Sequence, residues 1–341
     1  LENEEGKQIL VFTVHEKNKG NIGIGIHMNT EDIASVLLNA EGIVGERKKH
    51  NISATAKINK NAWLNLDYNL RIKDMNRLGL AYNISYTDFK VRDHSEDMGY
   101  LSYLNNHFEM YIRNDSYRDL RYKFGVQYDW FNNISSWYTT DYTSHEMRND
   151  HFLSCRMDLE YDKMDNREIP TSGVNVRFTP EVYVNGVFGN DCYMFTPFTF
   201  RVKAAYSANS RICILPEVFG RFVMGDKMSL FNNFVGGECY DRYISGQQAF
   251  YGIHNTEILE KMALGYRVDI RFRLFDRHYI SCIGNYMLHD DKVKDLFKGK
   301  DSWGAGLKYS YNSFLGPISA TIDYSSRTKE VGFYASAGFY F

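Results

Sequence analysis

Chemistry needs side chains that can attack, move a proton or hold a metal, and this chain offers them only in scattered form. Its five cysteines (Cys155, Cys192, Cys213, Cys239, Cys282) show no C-x-x-C spacing, which leaves no zinc or dithiol motif. There is no G-x-S-x-G, so the strained turn that exposes a hydrolase serine is missing. The phosphate-loop, H-E-x-x-H and EF-hand patterns are missing too. Asp158 and Glu160 stand two residues apart, a spacing that could serve acid–base chemistry. Arg156 stands on the same side, and a ladder of opposite charges is the simpler account. His27, His107 and His151 are isolated from one another. No catalytic residue, cofactor or metal is assigned.

What positions these charges is an alternation of period two, the mark of strands with one apolar and one polar face. Leu153, Cys155, Met157, Leu159 and Tyr161 oppose Arg156, Asp158, Glu160 and Asp162. Tyr266, Val268, Ile270, Phe272 and Leu274 oppose Arg267, Asp269, Arg271 and Arg273. At the chain's end Val331, Phe333, Ala335, Ala337, Phe339 and Phe341 share one parity. Phe333, Phe339 and Phe341 read as a barrel-closing signal, because a last strand in lipid has to pair with the first.

Composition agrees with this. The chain has 341 residues, a net charge of -2, 26 Tyr and 23 Phe but only 5 Pro. That balance gives no argument for nucleic acid. No run of about 18 apolar residues occurs, which excludes ordinary transmembrane helices. A membrane barrel is apolar only at every second residue and stays polar on average, as the mean hydropathy of -0.44 is here. A soluble β-sandwich also alternates. Its strands cluster near five or six residues, however, and several apparent strands here are two to three times longer. The expected fold is therefore all-β: a 16-stranded antiparallel transmembrane β-barrel over 19–341. Strands are expected near 21–29, 33–40, 50–59, 62–72, 77–91, 97–113, 119–133, 150–163, 173–186, 190–208, 210–225, 258–275, 277–288, 302–313, 316–325 and 331–341. The longest connections follow odd-numbered strands and would be extracellular. The charged face would coat a wet lumen.

One connection stands apart. Residues 226–257 are far longer than a hairpin needs and rich in aromatics and glycine. They include Gly236, Gly237, Arg242, Tyr243, Gln248, Phe250 and Gly252. With these residues in view, the chain resembles the BamA/TpsB superfamily of outer-membrane assembly and two-partner-secretion barrels. That resemblance implies 16 strands and a sixth extracellular loop folded into the lumen. It also implies a loop arginine, here Arg242, held by a carboxylate on the inner wall. Asp269 and Asp323 are the wall candidates on lumen parity. The family's Arg-Gly-Phe is not kept, since Tyr243 and Ile244 follow Arg242. Two further segments are similar to family elements: the Asp165-Asn166-Arg167 turn with Pro170 and Gly173, and Gly316-Pro317-Ile318.

Within the superfamily, Gly236-Gly237, Arg242-Tyr243 and Gln247 through Ile253 resemble the C-terminal barrel of patatin-like outer-membrane proteins of Bacteroidetes type. This implies an upstream serine lipid acyl hydrolase and one periplasmic POTRA-type module, whose last strand is expected within 1–18, at residues 7–16. It implies a bacterial outer-membrane location with a periplasmic N-terminus. Expected partners are outer-membrane lipids, lipopolysaccharide, and periplasmic or outer-membrane proteins. A passive porin, or an accessory subunit of an outer-membrane complex, is the competing function. An open pore would separate the porin from a barrel plugged by its loop.

Overall fold

A computed structural model describes residues 2–4, 7–9, 20–31, 33–44, 49–73, 76–114, 119–138, 150–185, 193–225, 233–241, 244–298, 300–314 and 316–339. Two short strands, β1 (Glu2–Glu4) and β2 (Lys7–Ile9), form an antiparallel hairpin of their own. Only the Lys7–Ile9 part of the strand expected at 7–16 falls among the described residues.

The wall begins with β3 (Gly20–Asn29), β4 (Ile33–Val44), β5 (His50–Ile58), β6 (Trp63–Lys73), β7 (Asn76–Asp93) and β8 (Glu96–Asn114). It continues with β9 (Leu120–Tyr138), β10 (Asp150–Asp162), β11 (Gly173–Asn185), β12 (Tyr193–Ser207) and β13 (Ile212–Gly225). Here the chain leaves the wall and forms β14 (Asn233–Val235) and β15 (Thr256–Leu259), an antiparallel pair. It returns as β16 (Met262–Phe275), β17 (His278–Asp290), β18 (Asp301–Ser313), β19 (Gly316–Ser325) and β20 (Val331–Gly338). Since β13 pairs directly with β16, and β20 with β3, sixteen antiparallel strands close the barrel among the described residues. The expected strand at 258–275 is divided: its first residues belong to β15, off the wall.

Cross-strand partners lie on the same face of a sheet. An outward row therefore runs Ile24, Leu38, Ala56, Leu64 and Ile84 across β3 to β7. The inward row beside it runs Asn39, Thr55, Asn65, Asn83, His107 and Asp129. Asn39 donates to the Thr55 hydroxyl at 2.7 Å, and His107 pairs with Asp129 at 2.8 Å. Apolar side chains on the outer face are exposed, up to 87% for Ile22, which only a hydrocarbon surround makes favourable over so wide a band.

The lumen differs from the expected uniform charge. Its lower part is charged with both signs: Arg156 pairs with Asp158 and Glu181 at 3.0 Å each, and Arg177 with Glu160 at 3.0 Å. Toward the end with the long connections, the same inward parity turns apolar. Phe89, Phe131, Phe152, Tyr183 and Phe195 are buried there with Phe234 of β14. Tyr183 stacks on Phe195 with ring centroids 5.0 Å apart, and Phe89 meets Phe234 edge-on at 5.9 Å. At the same level the outer face becomes charged, with Arg92–Asp97 at 2.7 Å and Lys60–Asp88 at 2.9 Å. The inversion marks where the wall rises out of lipid: the strand tops fold as a water-soluble sheet does, apolar inward and ionic outward.

Two details fix the ends of strands. In the connection from β10 to β11, the Asp165 carboxylate accepts from the backbone N–H groups of Asn166, Thr171 and Ser172 at 2.8–3.1 Å. Burial alone would raise its pKa, but these bonds and the Thr171 hydroxyl outweigh it and bring the group down to about 2. The folded value lies below the unfolded one, so this contribution is complete above about pH 4 and is lost as pH falls toward 2. Pepsin cleavage within 163–172 should therefore rise over that window, and Asp165→Asn should flatten the rise. The lipid face gives a second expectation. Leu66→Arg should destabilise the barrel by about 2–4 kcal/mol in urea titrations in bilayers, and Asn65→Arg, facing the lumen, by much less.

Candidate functional site

The described residues between β13 and β16 (233–241 and 244–261) sit in the upper lumen, and their own backbone is the first thing that holds them there. Gly236 N–H donates to the Gln248 carbonyl at 3.0 Å, and Gln248 N–H to the Phe234 carbonyl at 2.8 Å. Phe250 N–H donates to the Gly237 carbonyl at 2.9 Å, and the Gln247 side chain to the Gly236 carbonyl at 2.9 Å. Gly236 and Gly237 have φ of 152° and 72°, and a Cβ on Gly236 would sit 2.0 Å from the Asn255 carbonyl oxygen. The expected glycine, Gln248 and Phe250 motif is thus the loop's internal frame. Gly252 belongs to its contact with the wall: at φ 89°, it lies so close to β19 that a Cβ would be 2.4 Å from the Tyr324 carbonyl carbon. The facing Gly304 of β18 leaves room for the Tyr251 carbonyl in the same way.

Charge holds the loop to the wall. Glu238 accepts from the Lys308 ammonium of β18 and from the Thr321 hydroxyl of β19. Arg267 of β16 donates to the Ala249 carbonyl at 2.7 Å and pairs with Glu217 of β13 at 3.3 Å. Its guanidinium lies 5.3 Å from the Tyr251 ring centroid and 5.6 Å from that of Tyr240. Tyr240 donates its hydroxyl to Glu217 at 2.7 Å. Higher up, Glu257 pairs with Arg327 at 2.5 Å, and Arg327 reaches Asp93 at 2.6 Å. Glu257 also accepts from the backbone of Ser95 at 2.9 Å. β15 then lies parallel to β7 through Thr256–Val91 and Glu257–Arg92. It covers the edge of β7 that rises above the shorter β5–β6 hairpin.

The wall carboxylates fare differently. Asp323 faces the lumen and receives the loop, through His254 Nε2 at 2.7 Å. Asp269 also lies on lumen parity, yet no loop side chain reaches it among the described residues, and its Oδ1 has no hydrogen-bond donor. Arg242 and Tyr243 lie outside the described residues, as does Phe341. Phe333 and Phe339 are exposed on the outer side, at 58% and 50%. Burial pushes the Cys239 thiol up to about 12 and raises the Tyr240 and Tyr251 phenols, so these loop groups remain neutral. Below the loop a cavity of about 280 Å³ is lined by Arg156, Asp158, Glu181, Arg221, Asp241 and Gly246.

A sequence profile of the OMP85 superfamily matches residues 17–341. The chain belongs to the OMP85 superfamily. Its fold is similar to that of BamA from Haemophilus ducreyi lacking POTRA domains 1–3, with a TM-score of 0.73 and 13% identity over 94% of this chain and 70% of that one. It is similar also to CdiB from Acinetobacter baumannii, with a TM-score of 0.58 and 9% identity over 94% of this chain and 60% of that one. For CdiB from Escherichia coli the TM-score is 0.58 and the identity 11%, over 96% and 64%. The chain thus spans less than two thirds of either CdiB. No curated protein matches the sequence. At these identities the likeness to solved structures is one of fold.

In this OMP85 barrel, sequence reasoning missed Glu238, Lys308, Thr321, Arg267, His254 and Arg327. One signal was available: Lys308 stands on lumen parity at the centre of β18, where a cation needs an anion. Removing Glu238 leaves that ammonium without its carboxylate partner, at a cost of about 3–5 kcal/mol for a buried pair. Glu238→Ala should therefore release the loop to protease while the wall stays folded. Thermal unfolding and the nicking pattern would check this, and a loop as protected as in the wild type would refute it.

Proposed function

We propose that this outer-membrane barrel of the OMP85 superfamily moves or inserts protein at the membrane, and that it works with its lumen closed by the loop. The observation that carries the reading is the joint between the first and last wall strands. Ser336, Ala337 and Gly338 pair with Asn29, Met28 and His27, whereas β19 joins β20 from Ile318 through Tyr324. Gly338 ends β20 at φ 97°, and a Cβ there would sit 2.2 Å from the Ile26 carbonyl oxygen. Among the described residues, β3 from Gly20 to Ile26 has strand partners only in β4. A strand edge left bare in lipid is costly, and pairing it with an incoming strand removes that cost.

The finer assignment extends this reading. The chain would be the C-terminal barrel of a patatin-like protein. Its N-terminus would be periplasmic, residues 1–18 would close a POTRA-type module, and a lipid acyl hydrolase would lie upstream. Its surroundings would be lipid, lipopolysaccharide and protein partners, with no role for nucleic acid. Phe341 would complete the joint. Support comes from the Gly236-Gly237 and Gln247–Ile253 segments that frame the loop.

The test is electrical and functional. In planar bilayers the barrel should stay closed with brief openings, and in liposomes it should speed the folding of a urea-unfolded outer-membrane barrel. A large, steady conductance in the wild type would instead favour a passive porin.

A further inference from the structure

The β3–β4 hairpin is short, and this leaves a gap in the wall beside β20. Thr30 N–H donates to the Ala335 carbonyl at 3.0 Å, and Ala335 N–H donates to the Thr30 hydroxyl at 3.3 Å. Above that level, residues Val331 to Tyr334 of β20 have a strand partner only in β19 among the described residues. The loop residue His254 sits on the inner side of this gap. Its Nε2 lies 2.7 Å from Asp323 of β19, and its Nδ1 lies 3.3 Å from Glu31 in the β3–β4 connection. One imidazole from the folded-in loop therefore touches both sides of the joint. The Asp323 contact is a hydrogen bond, and the Glu31 contact is of ion-pair length.

The space for this ring is built into the wall. Gly332 lies inside β20, where glycine weakens a strand. A Cβ at Gly332 would lie 1.7 Å from His254 Nε2 and 2.8 Å from Asp323 Oδ1. The glycine is thus explained by the ring. The loop backbone around the ring is itself anchored: Thr328 donates its hydroxyl to the Gly252 carbonyl at 3.1 Å, and Gly237 N–H donates to the Ile253 carbonyl at 2.5 Å. Anchored this way, the ring cannot follow β3 if the first hairpin swings outward.

We infer that His254 is a clasp that couples the seating of the lumen loop to closure of the joint between β3 and β20. With the loop seated, His254 ties Glu31 on the first hairpin to Asp323 on the last. Opening the joint breaks the Glu31 contact, and withdrawing the loop releases both carboxylates. Coupling of this kind is reciprocal, so a loosened joint also weakens the hold on the loop. The inference rests on the joint being the moving part of the barrel.

Hydrogen–deuterium exchange of the intact chain in detergent micelles tests it, with no client protein present. In His254→Ala and Gly332→Val, the joint amides of Met28, Thr30 and Ala337 should exchange about tenfold faster than in the wild type. Those of β8 and β9 should not change. Glu31→Gln keeps the shape of the side chain and the Asp323 contact, and should speed the same joint amides. Retained heat-modifiable migration on gels confirms a folded wall. Glu31→Gln decides the matter should a larger change prevent folding. Wild-type exchange at the joint in His254→Ala and Glu31→Gln would overturn the clasp. Faster joint exchange with no client-folding activity would leave the clasp standing and overturn the proposed function instead.

Discussion

In hydrocarbon a peptide group has no solvent to bond to, and this single constraint governs the barrel. Each wall strand must find two neighbours, so the sheet closes on itself and the chain's first and last strands meet. Where an edge rises out of the wall, something covers it. β7 extends above the β5–β6 hairpin, and the loop strand β15 lies against that edge. Beside β20 the short β3–β4 hairpin leaves another edge, and His254 and Glu31 occupy the space. The loop is therefore more than a stopper for the lumen, because it also completes the wall where the wall is short of strands.

The loop is held by a reversal of the expected charge roles. The resemblance led to a loop cation on a wall anion. The described contacts include the opposite arrangement twice, in Glu238 against Lys308 and in Glu257 against Arg327. Asp323 on the wall is hydrogen-bonded to His254 of the loop. The plug is thus positioned by several pairings that hold at once. Such pairs add little net stability over apolar contacts but penalise misplacement strongly. That suits a segment that has to sit in one place.

Much of the wall was legible in the sequence because period-two alternation is a local signal. The strand expected at 97–113 is Glu96–Asn114, and that at 316–325 is Gly316–Ser325. Two things were not legible. The inward parity was expected to stay charged, yet Phe131, Phe152 and Phe195 face inward near the long connections. Alternation reports that two faces differ, but which face meets water changes along a strand that leaves the bilayer. The loop's partners were hidden for another reason. Glu238 and Lys308 are far apart in the chain, and a sequence rich in both charges does not say which pairs meet. Asp269 and Asp323 were both named from lumen parity, and parity alone does not say which of them the loop reaches, or that His254 is the residue that reaches Asp323.

The strands of the wall are unequal in a directional way. β8 and β9 have 19 residues each, while β3 has 10. At the usual rise per residue, the two sides differ by roughly 30 Å measured along the strands. The rim is therefore sloped like the lip of a pitcher, high at the back and lowest at the spout. The spout lies beside the joint of β3 with β20, which has the fewest paired residues of the wall joints among the described residues, so parting the wall there breaks fewer ladder hydrogen bonds than parting it elsewhere.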